Sequence, residues 1–206
     1  VEAVDIATEH DGEIATIDRI DVAGMATVTA DGWWFDGDEM QLEVGRQPAP
    51  PATIALRRRN RGDGESWLAF RANNIELDGL RPLLPRFTRH VGTADTAPPS
   101  LADLHPSGTL RSLVGGWADG TPPRYYAEAD LEGLALDESA RMPGISGVDF
   151  SIRANARGGV IETNHTAGFT VTDPRRFEAP IEVQKIAGAG NWTVHDGVLR
   201  VATDEL

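Results

Sequence analysis

Apolar and polar residues alternate with a period of two along most of this chain, the pattern of a β-strand with one dry face and one wet one. Ile20 and Val22 alternate with Arg19 and Asp21, and Leu42 and Val44 with Gln41 and Glu43. Leu68 and Phe70 alternate with Trp67 and Arg71, and Ile75 and Leu77 with Glu76 and Asp78. The cleanest run sets Val148, Phe150, Ile152 and Ala154 against Asp149, Ser151, Arg153 and Asn155, and near the end Leu199 and Val201 flank Arg200. Asp-Gly pairs at 11–12, 31–32, 63–64, 119–120 and 196–197, with Gly158-Gly159 in the same part, separate the runs. Glycine supplies the positive φ that two-residue hairpin turns need, so hairpins are predicted around Gly32, Gly64, Gly159 and Gly197.

Helix signals are few. Gly79–Phe87 has room for about one turn before its prolines interrupt it, and a short helix capped by Ser100 is predicted over 100–104. The segment 46–52, with three prolines, reads as a loop. Gly108, Gly147 and Gly188 each precede a strand and recur at about 40 residues, with a turn after each, so the chain reads as repeated hairpin units. Such units bury their faces by stacking into one continuous sheet. The expected organisation is a β-hairpin section over 1–87 with a short helical end, a loop or linker over 88–99, and a repeated β-hairpin section over 100–206 continuing the same sheet. The fold class is mainly β: an extended, twisted, mostly antiparallel sheet forming a partly open groove, with one or two short helices.

Composition narrows the partners. The 206 residues carry 32 acidic and 19 basic side chains, a net charge of −13, and Lys185 is the single lysine. That excess argues against nucleic acid, whose phosphates need clustered positive charge, and against docking on anionic headgroups by charge alone. With no cysteine there is neither a disulfide nor a thiolate metal site. No apolar run of about 18 residues is present to span a membrane, and the opening V-E-A-V-D-I has no leader pattern, which suggests a piece of a longer chain.

Candidate chemistry is sparse. The histidines at 10, 90, 105, 165 and 195 make no i, i+4 pair and no H-E-x-x-H, so no metal site and no cofactor are expected. Asp31, Asp36, Asp38 and Glu39 cluster near a hairpin, but Asp36-Gly37-Asp38 lacks the register of a calcium loop. Ser146 in G-I-S-G is not a nucleophile elbow. Arg57-Arg58-Arg59-Asn60-Arg61 is the one basic cluster and reads as a solvated strand end or a contact for lipid headgroups. In Trp33-Trp34-Phe35, strand geometry puts Trp33 and Phe35 on one face and Trp34 on the other.

Three segments carry a resemblance: L-A-D-L-H-P-S-G-T-L-R-S-L (Leu101–Leu113), D-L-E-G-L-A-L-D-E-S-A-R-M-P-G-I-S-G-V (Asp130–Val148) and T-D-P-R-R-F-E-A-P-I-E-V-Q-K-I-A-G (Thr172–Gly188). In order and content they resemble the YhdP-type members of the AsmA-like superfamily, over residues 75–206 most closely. The chain departs from the family pattern at Gly147-Val148-Asp149 and at Ile186–Gly190, which has an extra glycine. The resemblance implies one section of a long periplasmic protein anchored in the inner membrane. It also implies a curved sheet with an apolar lining that carries phospholipid towards the outer membrane and supports its barrier, with neighbouring sections of the same chain as partners and no catalytic residues. The residues that either pack as core or line the groove are Leu42, Val44, Leu68, Phe70, Ile75, Leu77, Leu134, Leu136, Val148, Phe150, Ile152, Phe169, Val171, Leu199 and Val201. The rival expectations are a β-sandwich module binding carbohydrate or protein and, behind it, a β-fold hydrolase with paired carboxylates.

Overall fold

The computed structural model describes residues 6–10, 13–44, 47–48, 50–60, 65–80, 104–119, 124–139, 142–165, 167–195 and 198–203, with the side chains of 6–20, 42–48 and 164–165 excepted. Fourteen strands form one sheet: β1 (Ile6–His10), β2 (Glu13–Thr29), β3 (Gly32–Val44), β4 (Gln47–Pro48), β5 (Ala52–Asn60), β6 (Ser66–Glu76), β7 (Ser107–Ala118), β8 (Arg124–Leu136), β9 (Gly144–Asn155), β10 (Gly158–His165), β11 (Phe169–Thr172), β12 (Ile181–Val183), β13 (Ile186–His195) and β14 (Val198–Thr203). The main path is β1-β2-β3-β5-β6-β7-β8-β9-β10-β13-β14, and every pairing is antiparallel. Ten interstrand spacings of about 4.8 Å make the path about 48 Å long, while a 12-residue strand such as β7 spans about 40 Å across it. The sheet does not close: β1 and β14 lie at opposite ends of the path. The expected mainly antiparallel, open sheet of successive hairpins is therefore what the chain forms.

Near its middle the sheet forks. The free edge of β9 pairs with β10 through Ser151–Asn155 and with β11 through Gly144–Ser146, and β12 then pairs with β11. The β11–β12 connection is tied by Asp173, which is buried. Its carboxylate accepts from the Arg175 backbone N–H (3.2 Å) and Nε (3.0 Å), and its carbonyl accepts from the N–H groups of Arg176 and Phe177. The hydrogen bond from Arg175 holds this carboxyl below the usual carboxylate range.

Irregularities keep the apolar side in phase. Asn74 adopts φ 55° beside the register shift at Arg111, so Ile75 and Leu110 return to the side occupied by Ala72 and Leu113. Asn tolerates this conformation better than most residues. Gly133 (φ 61°) and Gly147 (φ 88°) do the same between Leu131 and Leu136 on β8 and their partners on β9, and the Gly133 N–H donates to Asp149 Oδ1 at 2.7 Å. The true buried core is small. Ala52, Ala72, Ile75 and Leu110 form it, and Met40, Ile54, Leu113, Ala129 and Leu131 pack against it with Leu77 and Leu80 of the short helix α1 (Leu77–Leu80), the one helix among the described residues.

Four details differ from the sequence reading. Leu77 does not continue the strand but opens α1, because the chain turns out of β6 after Glu76. That helix begins ahead of Gly79, and the rest of 79–87 lies outside the described residues, as do 88–99 and the Ser100-capped segment. The β9–β10 turn is Ala156-Arg157, with Asn155 opposite Gly158, so Gly158-Gly159 opens the strand instead of making the turn. Within 46–52, Gln47–Pro48 pairs with β3 at an edge, where proline is tolerated because no ladder N–H is needed.

Candidate functional site

The register assigns every described strand residue to one of two faces. One residue from each of nine strands makes a row across the sheet: Phe35, Leu56, Phe70, Gly115, Ala127, Ala154, Gly159, Trp192 and Val201. Two positions along the strands runs a second row of Gly37, Ile54, Ala72, Leu113, Ala129, Ile152, Ile161 and Gly190. Ile75, Leu110, Leu131 and Phe150 make a third. On the other side of the first row lie Val28, Trp33, Arg58, Leu68, Trp117 and Tyr125, apolar but for one arginine. This apolar face runs the length of the path from β3 to β14.

The opposite face is mostly polar and internally bonded, apart from an aromatic group of Trp34, Trp67 and Tyr126 in which the last two rings stack with centres 5.8 Å apart. Asp130 Oδ2 and Oδ1 accept from Ser112 Oγ and Ser151 Oγ, both at 2.6 Å, and these bonds hold its carboxyl below the ordinary range. Arg153 pairs with Glu162 at 2.7 Å, Asn73 Nδ2 donates to Thr53 Oγ1 at 2.9 Å, and Arg111 pairs with Glu132. That pairing lowers the Glu132 carboxyl and raises the Arg111 guanidinium, through the hydrogen bond first and charge second. Exposed ion pairs of this kind add little stability; what they establish is the contrast in polarity between the two faces.

Among the described residues no second sheet covers the apolar face, and α1 packs over only part of it, against the cluster that holds Ala72, Ile75 and Leu110. Only seven hydrophobic residues are buried among the described ones, whereas Val28, Trp117, Tyr125, Ile161, Val194, Leu199 and Val201 on this face keep between 37% and 80% of their surface accessible. A contiguous apolar area of this extent on a folded chain marks an interaction surface. Trp117 and Tyr125 stack on it with ring centres 6.1 Å apart, and glycines make room for large neighbours: the Phe70 ring lies over Gly115 and the Trp192 indole over Gly159.

The candidate residues divide by burial. Ile75 (6%) and Leu134 (7%) are core. Leu68, Phe70, Leu136, Val148, Phe150, Ile152, Phe169 and Val171 are half-buried on the apolar face, and Leu199 and Val201 are exposed on it. Leu134 pairs with Val148, Leu136 with Ile145, Val171 with Ile145 and Ile181, and Phe169 with Val183. Leu77 packs from α1 against the core. Leu42 and Val44 lie opposite Ile20 and Ile17 on β3, and their side chains are outside the described ones. Trp33 and Phe35 do share the apolar face, with Trp34 behind.

Sequence reasoning missed Leu56, Leu113, Ile161 and Trp192, and the alanines 127 and 129 that carry the rows through β8. The signal for the alanines was present in Y-A-E-A-D-L-E, an alternation hidden by small side chains. Among the described residues, no group of three His, Asp or Glu side chains gathers to hold a metal, and no helix is long and apolar enough to cross a membrane.

The family model described as YhdP protein matches residues 2–206 of the chain. No curated protein and no solved structure matches it.

Proposed function

The chain belongs to the YhdP protein family, of AsmA-like type, and from that premise we propose that its uncovered apolar face is a section of a groove that carries phospholipid between the inner and outer membranes. In this reading the protein works in the periplasm, is anchored in the inner membrane, and supports the outer-membrane barrier. The section holds acyl chains, does no bond chemistry and needs no cofactor.

The observation that carries the reading is the apolar row shared by nine successive strands, with no second sheet over it among the described residues. An acyl chain crosses half of a hydrocarbon core of about 30 Å, so a face of eight interstrand spacings, about 38 Å long, accommodates more than one along its length. Each methylene taken from water onto such a surface contributes about 0.8 kcal/mol. The lipid needs no polar partner along its tail, which matches rows that among the described residues carry one charged side chain, Arg58. A sandwich module would fill this side with a second sheet, and none is present among the described residues.

The test uses two neighbours on β10. Ile161 lies on the apolar face and Val160 on the polar one. Native mass spectrometry of the chain with dioleoylphosphatidylglycerol should detect bound lipid in wild type and in Val160→Asp, and a loss of at least tenfold in Ile161→Asp, with circular dichroism unchanged in both. Equal lipid binding by the two variants would refute the assignment of the face.

A further inference from the structure

The rings on the polar face are not explained by its ion pairs. Trp34, Arg57, Ala69, Gly116 and Tyr126 form one row across β3, β5, β6, β7 and β8, and Trp67 stands two positions from Ala69 on β6, towards the hairpin turn. Gly116 makes the shelf for two of them. A Cβ there would run into the Trp67 indole and meet Tyr126 Cε1 at 2.8 Å, so both rings lie over its backbone, with their planes 18° apart. The Arg57 guanidinium lies 6.0 Å from the centre of the Trp34 ring.

A trough runs along the strands between Trp34 and the stacked pair. At the hairpin end it is a cavity of about 940 Å³ bordered by Trp34, Arg57, Arg59 and Trp67. At Trp34 and Arg57 it continues into a cavity of about 510 Å³ that reaches Asp36, Arg71 and Tyr126, over the small side chains of Ala55 and Ala69. Both volumes fall in the range of small-molecule sites. From the row of Arg59 to the row of Arg71 is four residues, about 14 Å.

These groups match the two aspects of a sugar. The axial C–H bonds of a pyranose make an apolar plate that packs on an aromatic ring, while its equatorial hydroxyls point outwards and need donors and acceptors at the side. Tyr126 is an exposed ring of the first kind. Asp36, Arg57 and Arg71 are exposed groups of the second. Arg57 is the diagonal neighbour of both Asp36 and Arg71, about 7–8 Å from each along the sheet. Charge narrows the sugar. At the hairpin end Arg59 and Arg124 stand against Asp31 and Glu65, and Arg124 is paired with Glu65 at 2.7 Å. The positive excess therefore lies with Arg57 and Arg71 against Asp36, in a chain of net charge −13. A guanidinium edge matches the two oxygens of a carboxylate.

We infer that this trough binds an acidic saccharide, with a pyranose packed on the Tyr126 ring, its carboxylate between Arg57 and Arg71, and its neighbouring hydroxyls donating to Asp36. The site uses the face opposite the acyl rows and stands or falls apart from the groove reading.

Isothermal titration calorimetry of the chain with digalacturonate tests this, with maltose as the neutral disaccharide and acetate as the bare carboxylate. Digalacturonate should bind about tenfold more tightly than either, the size expected of a charge-assisted bond to a carboxylate. Arg71→Gln should remove the preference over maltose, and Tyr126→Leu should weaken digalacturonate binding several-fold. Tyr125→Leu changes the next residue, on the apolar face, and should bind as wild type does. Circular dichroism controls for the fold, and Arg71, which is exposed, carries the test if loss of the stacked pair unsettles β8. No binding of digalacturonate overturns the inference. Maltose bound as tightly overturns the acidic class, and acetate bound as tightly overturns it in favour of a free-anion site. Unchanged affinity in a folded Arg71→Gln or Tyr126→Leu protein, or an equal loss in Tyr125→Leu, overturns the placement. None of these outcomes alters lipid binding on the other face, which Ile161→Asp reads separately.

Discussion

Replacing Gly115 by alanine sets two effects of opposite sign against each other. In a strand interior alanine is favoured over glycine by roughly 0.5–1 kcal/mol, because glycine loses more backbone entropy on folding. At this position, however, a Cβ would sit 2.7 Å from Cε2 of Phe70, closer still to its Cζ, and 2.8 Å from the Tyr126 carbonyl oxygen. The ring can swing away only by giving up its contact with the row, and the carbonyl is fixed by the β7–β8 ladder. Overpacking of this kind costs about 1–3 kcal/mol. The net is a loss of about 1.5 kcal/mol, which for a chain of this size lowers Tm by about 3–6 °C. Gly190 is the internal comparison, since a Cβ there meets Ile161 Cγ2 at 3.3 Å and the Ala202 carbonyl oxygen at 3.9 Å. Gly190→Ala should leave Tm within about 2 °C of wild type. Calorimetry of both variants decides the matter. A Gly115→Ala protein as stable as wild type would refute the view that the face is built by large rings laid over glycines.

Other outcomes follow from the same geometry. Of the five tryptophans, Trp33, Trp117 and Trp192 lie on the apolar face and Trp34 and Trp67 behind it. In single-tryptophan variants a phospholipid with brominated acyl chains should therefore quench the first three and spare the other two. Gly133 has φ 61° with no atom near its missing Cβ, so Gly133→Ala costs about 1 kcal/mol from backbone strain alone and Gly133→Asn less, measurable as urea midpoints. The Asp173 carboxyl is lowered in the folded chain, so its contribution is complete above the unfolded value of about 3.9 and is lost as pH falls through the lower folded value. Urea midpoints taken from pH 5 down to pH 2.5 should fall more steeply in wild type than in Asp173→Asn.

The alternation that predicts strands was legible because a half-wet sheet imposes it: Val148, Phe150, Ile152 and Ala154 are read as one face and lie on one face of β9. The β2–β3 and β9–β10 hairpins were legible from Gly32 and Gly158-Gly159, which open the returning strands, while Gly64 and Gly197 lie outside the described residues. The resemblance supplied the family. Which apolar residues are core and which are uncovered was not legible, because Ile75 at 6% and Val201 at 70% exposure present the same local pattern. The difference depends on whether α1 packs against that stretch of the face, and alternation says nothing about that. The phase corrections at Asn74 and Gly133 escaped for a related reason. A bulge is defined by the partner strand, and a single strand's sequence does not contain its partner.

The hairpin-by-hairpin path has a consequence for length. Apart from β3, which also pairs with β4, and β9, which also pairs with β11, each main-path strand bonds only to its neighbours on the path, so inserting or deleting a hairpin elsewhere leaves the other pairings intact and changes the sheet by two spacings, about 10 Å. Reach is thereby separated from stability: a chain with this architecture matches a wider or narrower gap by the number of its repeats, with no redesign of a shared core, and its span becomes a quantity evolution can count out.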